Sequence, residues 1–247
     1  MNPVELAIIF GAIAAGAFIK GATGVGLPQI AIPVIAIFLG VERAVVIIAI
    51  PNIVSNTWLM WTYRNSLRAT RDLPMLLATG TVGAVIGAWM LKVADPRLIA
   101  TVLAVIIAIY VGLSVSPLPV RFTPALTRVV SPPVGLAAGA LQGAIGMSGP
   151  LLITYLHAFR LDKQAFVVSL ATLFQVFTTV QLITLVALRL FTVDRLVESA
   201  LAIVPMLAAM PLGALAARRM SRRAFDGLIL TVLVASALRL LYDAYVG

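Results

Sequence analysis

Two short segments combine glycine, proline and polar residues in a pattern that could bind an anion. Residues 20–28 read KGATGVGLP and residues 142–150 read QGAIGMSGP, and the two align without a gap. Glycine and proline interrupt helices, and proline is tolerated in the first turn of the helix that follows. A helix N-terminus exposes free N–H groups and a positive dipole end, which attract anions. Two such ends facing one point would form a central anion site.

The polar residues within apolar stretches are mostly neutral hydroxyls and amides, which can donate hydrogen bonds to an oxyanion. Two alternatives stay open. Glycines can merely permit close helix packing, and Asn52 and Asn56, which share a helix face, can merely bond neighbouring helices. The residues that we expect to bind substrate are Lys20, Gly21, Thr23, Gly24, Gly26, Asn52, Asn56, Gln142, Gly143, Gly146, Ser148, Gly149 and Gln175.

Lys20 poses a separate question, because a lysine in the hydrocarbon core is costly without a partner. All nine acidic residues fall in or near predicted loops or termini, so none is available to pair with it inside the membrane. Lys20 would therefore either lie at the inner surface and extend to water, or pair with a transported anion.

The residue content argues against other chemistries. The chain has no cysteine and a single histidine, His157, so we expect neither a metal site nor a cofactor. An enzyme would need a nucleophile with a base, or a metal, and no intramembrane acid could orient His157. His157 is a candidate for proton coupling, because histidine changes charge near neutral pH. The alternative is a packed or interfacial histidine.

The elements that must position these residues are apolar helices. Of 247 residues, 62% are hydrophobic and 11% charged, against about 25% charged in a soluble domain. The composition predicts an all-α polytopic membrane protein. The segments at 27–41 and 150–160 are short for spans, which need about 20 residues, and are either tilted spans or re-entrant half-helices. The apolar segments are 4–19, 27–41, 44–62, 73–91, 98–115, 132–145, 150–160, 165–188, 197–217 and 225–242.

The paired segments indicate an internal repeat. We predict a first transmembrane repeat at 1–115, a cytoplasmic linker at 116–131 and a second transmembrane repeat at 132–247. The arginine-rich loops at 63–72 and 218–223 should both be cytoplasmic, yet they are not equivalent in the repeat. Equivalent loops therefore lie on opposite sides, which is typical of inverted-topology repeats. Each repeat would have about five helical segments, with Gly-Pro-broken helices at the centre and the N-terminus outside.

The net charge of +9 is explained by such cytoplasmic loops, and no nucleic-acid partner is expected.

The paired segments resemble the sulfite exporter TauE/SafE family, also described as four-toluene-sulfonate uptake permeases. That family has two repeated units, each with a glycine-rich segment followed by proline. Leu27 and Ser148 depart from the family's richer glycine runs. The matching residues are Gly21, Gly24, Gly26 and Pro28, then Gly143, Gly146, Gly149 and Pro150.

The resemblance implies export or import of small sulfur oxyanions such as sulfite, or of organosulfonates such as sulfoacetate. We expect a secondary transporter that exports such anions. It would work by alternating access around a central anion site. We expect a multi-pass protein of a bacterial or archaeal cell membrane, with the lipid bilayer and a small anionic substrate as partners. A homo-oligomer is left open. Two other functions also stay open: an uncoupled anion channel, and a membrane scaffold or accessory subunit.

Overall fold

The computed structural model describes residues 2–69, 73–115, 124–159, 161–216 and 222–245. Within these ranges the chain is almost entirely helical and contains no strand, which confirms the predicted all-α class. A short 3-10 helix, Arg64–Ala69, follows the third α-helix. The α-helices are α1 Pro3–Thr23, α2 Leu27–Leu39, α3 Val41–Thr62, α4 Leu73–Val93, α5 Pro96–Val115, α6 Pro124–Ile145, α7 Gly149–His157, α8 Lys163–Ala187, α9 Val193–Leu201, α10 Ile203–Ala216 and α11 Arg222–Tyr245.

Six helical stretches of the described chain are long and apolar enough to cross a bilayer, which agrees with a multi-pass membrane protein. The two short predicted segments correspond to α2, with 13 residues, and α7, with 9 residues. At the helical rise they extend about 20 Å and about 14 Å, less than the ~30 Å hydrocarbon core. The six stretches are Pro3–Thr23, Val41–Thr62, Leu73–Val93, Pro96–Ser114, Lys163–Ala187 and Val193–Ala216.

The second half differs from the predicted segments at α6. α6 begins at Pro124 instead of residue 132, and it continues through Pro132 and Pro133. Membrane helices tolerate such prolines because neighbouring groups take up the freed backbone positions. Residues 124–131 of the predicted linker are therefore helical, while residues 116–123 lie outside the described chain. So do residues 70–72 and 217–221, which include parts of both predicted basic loops.

Both breaks form through glycines with positive φ, a conformation that side-chain-bearing residues rarely adopt. α1 ends where the N–H of Gly24 (φ 86°) donates to the carbonyl of Lys20 at 2.7 Å. α6 ends in the same way, with Gly146 (φ 67°) donating to the carbonyl of Gln142 at 2.9 Å. Gly26, with φ 126°, then precedes α2. The breaks are confined to residues 24–26 and 146–148, so Lys20 itself is helical.

Close packing accounts for the first glycine of each segment. A Cβ atom on Gly21 would lie 1.9 Å from the carbonyl oxygen of Met210 on α10. A Cβ atom on Gly143 would lie 2.3 Å from the carbonyl oxygen of Ala84 on α4. Both positions need glycine because two helix backbones approach each other there. The packing alternative raised above therefore applies to Gly21 and Gly143.

Three ion pairs gather at one end of the helix bundle. Arg43, in the first turn of α3, contacts Glu5 of α1 at 2.6 Å and also contacts Glu198 of α9. Its neighbour Glu42 contacts Arg195 at 2.6 Å. Glu198 is only 3% exposed, although it falls near a predicted loop. We call the region of these five residues the ion-pair end; it ties the start of α3 to α9 in the second half.

α1 and α6 run in opposite directions. α1 begins at the ion-pair end, where Glu5 lies, and α3 begins there too. Because α3 leads to the far end, α4 starts at the far end and runs back. α6 lies parallel to α4, since Gly139 approaches Gly80 and Gly143 approaches Ala84. α6 therefore starts at the far end. The predicted inverted repeats stay a prediction, with which these directions agree.

Candidate functional site

The two glycine breaks meet at one small pocket inside the bundle. The ends of α1 and α6 reach it from opposite ends of the molecule, and α2 and α7 begin at it. Phe174 of α8 closes one side. The residues lining it are Lys20, Val25, Gly26, Pro28, Gln29, Gln142, Gly146, Met147, Ser148, Gly149 and Phe174.

Lys20 contributes a buried cation to this pocket. Its side chain is 1% exposed, so it is enclosed by protein and does not extend to water. Its Nζ donates to Oδ1 of Asn52 at 3.1 Å, to Oγ of Ser55 at 2.9 Å and to Oδ1 of Asn56. All three acceptors are neutral and lie on α3. They satisfy the hydrogen bonds of the ammonium but leave its charge uncompensated.

A polar network continues from Lys20 to the second glycine break. Nδ2 of Asn52 donates to Oγ1 of Thr178 at 3.0 Å, and Nε2 of Gln142 donates to the same oxygen at 3.3 Å. Oγ of Ser148 donates to Oε1 of Gln142 at 2.9 Å. The network therefore joins α1, α3, α8, α6 and the start of α7. Buried polar groups linked in this way hold one another in a fixed arrangement.

The two helices that start at the pocket have uncapped N-termini. Gly26 precedes α2 and Ser148 precedes α7, and neither makes a side-chain cap hydrogen bond. Serine normally caps a helix by accepting from a first-turn N–H, but here Ser148 donates to Gln142. First-turn N–H groups of both helices are thus left without a side-chain acceptor. Together with the positive dipole ends, they favour an anion in the pocket.

Gln29 is a pocket residue that was absent from the predicted site. It lies in the first turn of α2 and is 4% exposed. Its Nε2 atom lies 2.0 Å from where a Cβ atom on Gly149 would be, so its amide reaches from one break to the other. The sequence does contain a signal for this residue, because Gln29 is a polar residue directly after a break, in an otherwise apolar short helix. Its approach to Gly149 is a long-range contact that the sequence does not reveal.

The structure brings six of the predicted residues together as pocket lining: Lys20, Gly26, Gln142, Gly146, Ser148 and Gly149. Asn52 and Asn56 lie behind Lys20 and accept hydrogen bonds from it. Gly24 is buried against Val167 of α8 and is not part of the lining. Gly21 and Gly143 pack against other helices, as described above.

Three predicted residues lie elsewhere. Thr23 is exposed at the last residue of α1. Its hydroxyl lies within hydrogen-bond distance of the carbonyls of Ile19 and Val25 and donates to them. Gln175 is half-buried on α8 and does not line the pocket. His157 is exposed at the end of α7, where its ring lies 4.7 Å from that of Phe166. That end is about 12 Å along the helix from Gly149.

The electrostatics of the pocket are one-sided. Among the residues that the structure describes, its lining includes the ammonium of Lys20 and no carboxylate. The amides of Gln29 and Gln142 and the two helix N-termini add only partial charges and can present hydrogen-bond donors, whereas the hydroxyl of Ser148 donates to Gln142. Such a lining disfavours cations and suits a small anion with several acceptor oxygens.

Fold and pocket together define a multi-pass α-helical membrane protein built around a buried, positively charged site. The chain belongs to the sulfite exporter TauE/SafE family, whose model matches residues 8–240, and the resemblance seen in the sequence is thereby confirmed. This is a family of membrane transporters and not of enzymes, and it implies transport of sulfite or related sulfur anions. Comparisons with curated proteins and with solved structures give no match.

Proposed function

We propose that this protein is a secondary transporter that exports small sulfur oxyanions, such as sulfite or organosulfonates of the sulfoacetate type, by binding them in the pocket between the two glycine breaks. The observation that carries the proposal is the buried Lys20 ammonium beside two uncapped helix N-termini. An isolated buried charge is costly. A bound anion would offset that cost and would complete the hydrogen bonds of the donors around it.

The charge balance favours a singly charged anion. Within the described residues, the pocket lining holds one full positive charge and no negative one. One monoanion would neutralise Lys20, whereas a dianion would leave a buried negative charge in a medium of low dielectric constant. Hydrogen sulfite and sulfonates without a second ionised group, such as methanesulfonate, carry the required charge; sulfoacetate, a dianion near neutral pH, would bind with its carboxyl group protonated. In this proposal the protonated form of sulfite is the transported species, so a proton would accompany each sulfite without a protein proton carrier.

Alternating access would expose this pocket to each side in turn. The opposite directions of α1 and α6 support such a motion, since each break is reached from a different end. At the ion-pair end, Arg43 and Glu42 join α3 to α9 of the second half. At the far end, Ser66 donates to Gln164 at 3.2 Å. Opening toward one side of the membrane would break the contacts at the end that faces that side. In this proposal the N-terminus and the ion-pair end face outside.

A thermal-shift screen of the purified wild-type protein tests the proposal. Ligands that bind the folded state raise its unfolding temperature in proportion to the logarithm of their concentration. The anions to compare are sulfite, methanesulfonate, sulfoacetate, sulfate, chloride and acetate. We expect stabilisation by sulfite and by methanesulfonate, and smaller effects of sulfate and sulfoacetate, which carry two charges near neutral pH. No stabilisation by any sulfur oxyanion, while chloride or acetate stabilises, would overturn the assignment.

A further inference from the structure

We propose that Gln29 is a substrate-binding residue of this transporter, and that its side-chain amide donates to an oxygen atom of the bound anion. This inference rests on the proposed function, because it takes the pocket as the anion site. It adds a neutral, directional donor to the charge of Lys20 and to the two helix N-termini.

The Gln29 amide has no protein partner. Its side chain is 4% exposed and lines the pocket, and among the hydrogen bonds of the described residues none involves its amide. Two other buried glutamines behave differently. Gln142 bonds Thr178 and Ser148, and Gln181 donates to the carbonyls of Gln142 and Gly143. Buried amides are nearly always paired, so an unpaired one that lines a pocket indicates a ligand.

The Gln29 amide lies between the two glycine breaks. Gln29 Nε2 lies 2.0 Å from the place of a Cβ atom on Gly149, and Oε1 lies 3.6 Å from that of Gly26. Only a residue without a side chain leaves this space free at position 149. The absence of a Cβ atom there therefore lets the amide reach the N-terminus of α7, where an anion held by the first-turn N–H groups would lie.

The donors of the Gln29 amide match the acceptors of a sulfur oxyanion. Gln29 offers two N–H donors, and an oxyanion of sulfur offers several acceptor oxygens spread around one centre. The charge of Lys20 attracts any anion. The amide forms a hydrogen bond only with an oxygen atom at the correct distance and angle. Gln29 would therefore contribute specificity, since a ligand that fails to accept from it leaves a buried donor unpaired.

The test replaces Gln29 with an apolar side chain of similar length, Gln29→Met. Unfolding temperature without ligand and sulfite dissociation constant are measured for wild type and variant. Since the amide has no protein partner, we expect an unchanged or higher unfolding temperature, together with sulfite binding that is about tenfold or more weaker. Gln29→Glu keeps the shape but adds a negative charge, and should abolish sulfite binding.

Two matched controls separate this role from a structural one. Asn65→Leu, which removes an exposed amide from the 3-10 helix, should leave the dissociation constant unchanged. Gln181→Met removes an amide that is paired with the backbone, and should lower the unfolding temperature. Equal sulfite affinity of wild type and Gln29→Met would overturn the inference, as would a Gln29→Met protein that fails to fold. A wild-type protein that binds no sulfur oxyanion would instead overturn the proposed function.

Discussion

The Nζ atom of Lys20 on α1 donates a hydrogen bond of 3.1 Å to Oδ1 of Asn52 on α3, although the lysine is fully enclosed by protein. A neutral amide satisfies the donor but does not neutralise the ammonium. The pair thus holds a positive charge in place at the edge of a pocket where two helices begin. In the proposed mechanism, Asn52 orients Lys20 and the substrate supplies the missing charge.

Removing that charge should weaken anion binding more than folding. Lys20→Met keeps the length of the side chain and removes the buried ammonium, whose enclosure is costly in itself. We expect sulfite affinity to fall about 10- to 150-fold, the range of one hydrogen bond to a charged group. The effect on stability should be smaller, because removal of the buried charge offsets the cost of leaving the acceptors of Asn52, Ser55 and Asn56 unpaired. Isothermal titration and thermal unfolding measure both. Lys92→Met, at an exposed lysine near the end of α4, should bind as wild type does; equal affinity in Lys20→Met would exclude the lysine from the site.

Bulk at the second break should block the pocket. Ser148 is completely buried and donates to Gln142. Ser148→Val removes this donor and adds methyl groups beside the N-terminus of α7, so we expect no measurable sulfite binding. Ser148→Ala removes the donor that holds Gln142 in place but adds no bulk, so we expect a smaller loss of affinity, about tenfold or less. Transport assays in vesicles would rank the two variants, and full transport by Ser148→Val would argue for an ordinary turn at this break.

Gly149→Ala offers a way to move Gln29 without replacing it. The added Cβ atom would clash with Gln29 Nε2, which is the end of a flexible side chain, so the fold should tolerate the change. The amide would be displaced, and we expect a loss of sulfite affinity similar to that of Gln29→Met. Gly112→Ala adds the same atom on α5 where nothing lies within 4 Å. It should keep wild-type affinity and gain up to about 1 kcal/mol of stability from helix propensity.

The ion-pair end should control access from its side of the membrane. Glu198→Gln weakens the link from α9 to Arg43, which still keeps Glu5. We expect a loss of about 1–2 kcal/mol in stability, since a charged hydrogen-bond partner is replaced by a neutral one. The natural chain has no cysteine, so Phe174→Cys provides a single reporter in the pocket. Its labelling by an impermeant thiol reagent from the ion-pair end should become faster in Glu198→Gln; an unchanged rate would remove this end from the gate.

Local patterns predicted the helical class and the two breaks. The glycines with positive φ and the prolines that follow them act within a few residues, so their effect is visible in the sequence. The i, i+4 spacing of Asn52 and Asn56 correctly places both on one helix face, where both bind Lys20. The start of α6 was missed because Pro132 and Pro133 signal a boundary in soluble helices but lie inside this one.

Long-range contacts explain what the sequence did not reveal. Glu198 is buried because Arg43, 155 residues away in the chain, contacts it. Gln29 gains its role from Gly149, which belongs to the other half of the protein. Conversely, Gly21 and Gly143 belong to the repeated pattern, but neighbouring helix backbones explain them without a ligand. A one-dimensional pattern identifies candidates, whereas the packing of distant helices decides which of them reach the pocket.

Counterflow in proteoliposomes tests whether the protein carries a sulfur oxyanion through the Lys20 pocket. Uptake of labelled sulfite is compared between vesicles preloaded with unlabelled sulfite and empty vesicles, for wild type and for Lys20→Met. We expect wild-type uptake to be several times faster into preloaded vesicles, and this stimulation to be lost in Lys20→Met. Sulfite flux that does not depend on preloading would indicate a channel, and flux no greater than in protein-free vesicles would contradict transport altogether.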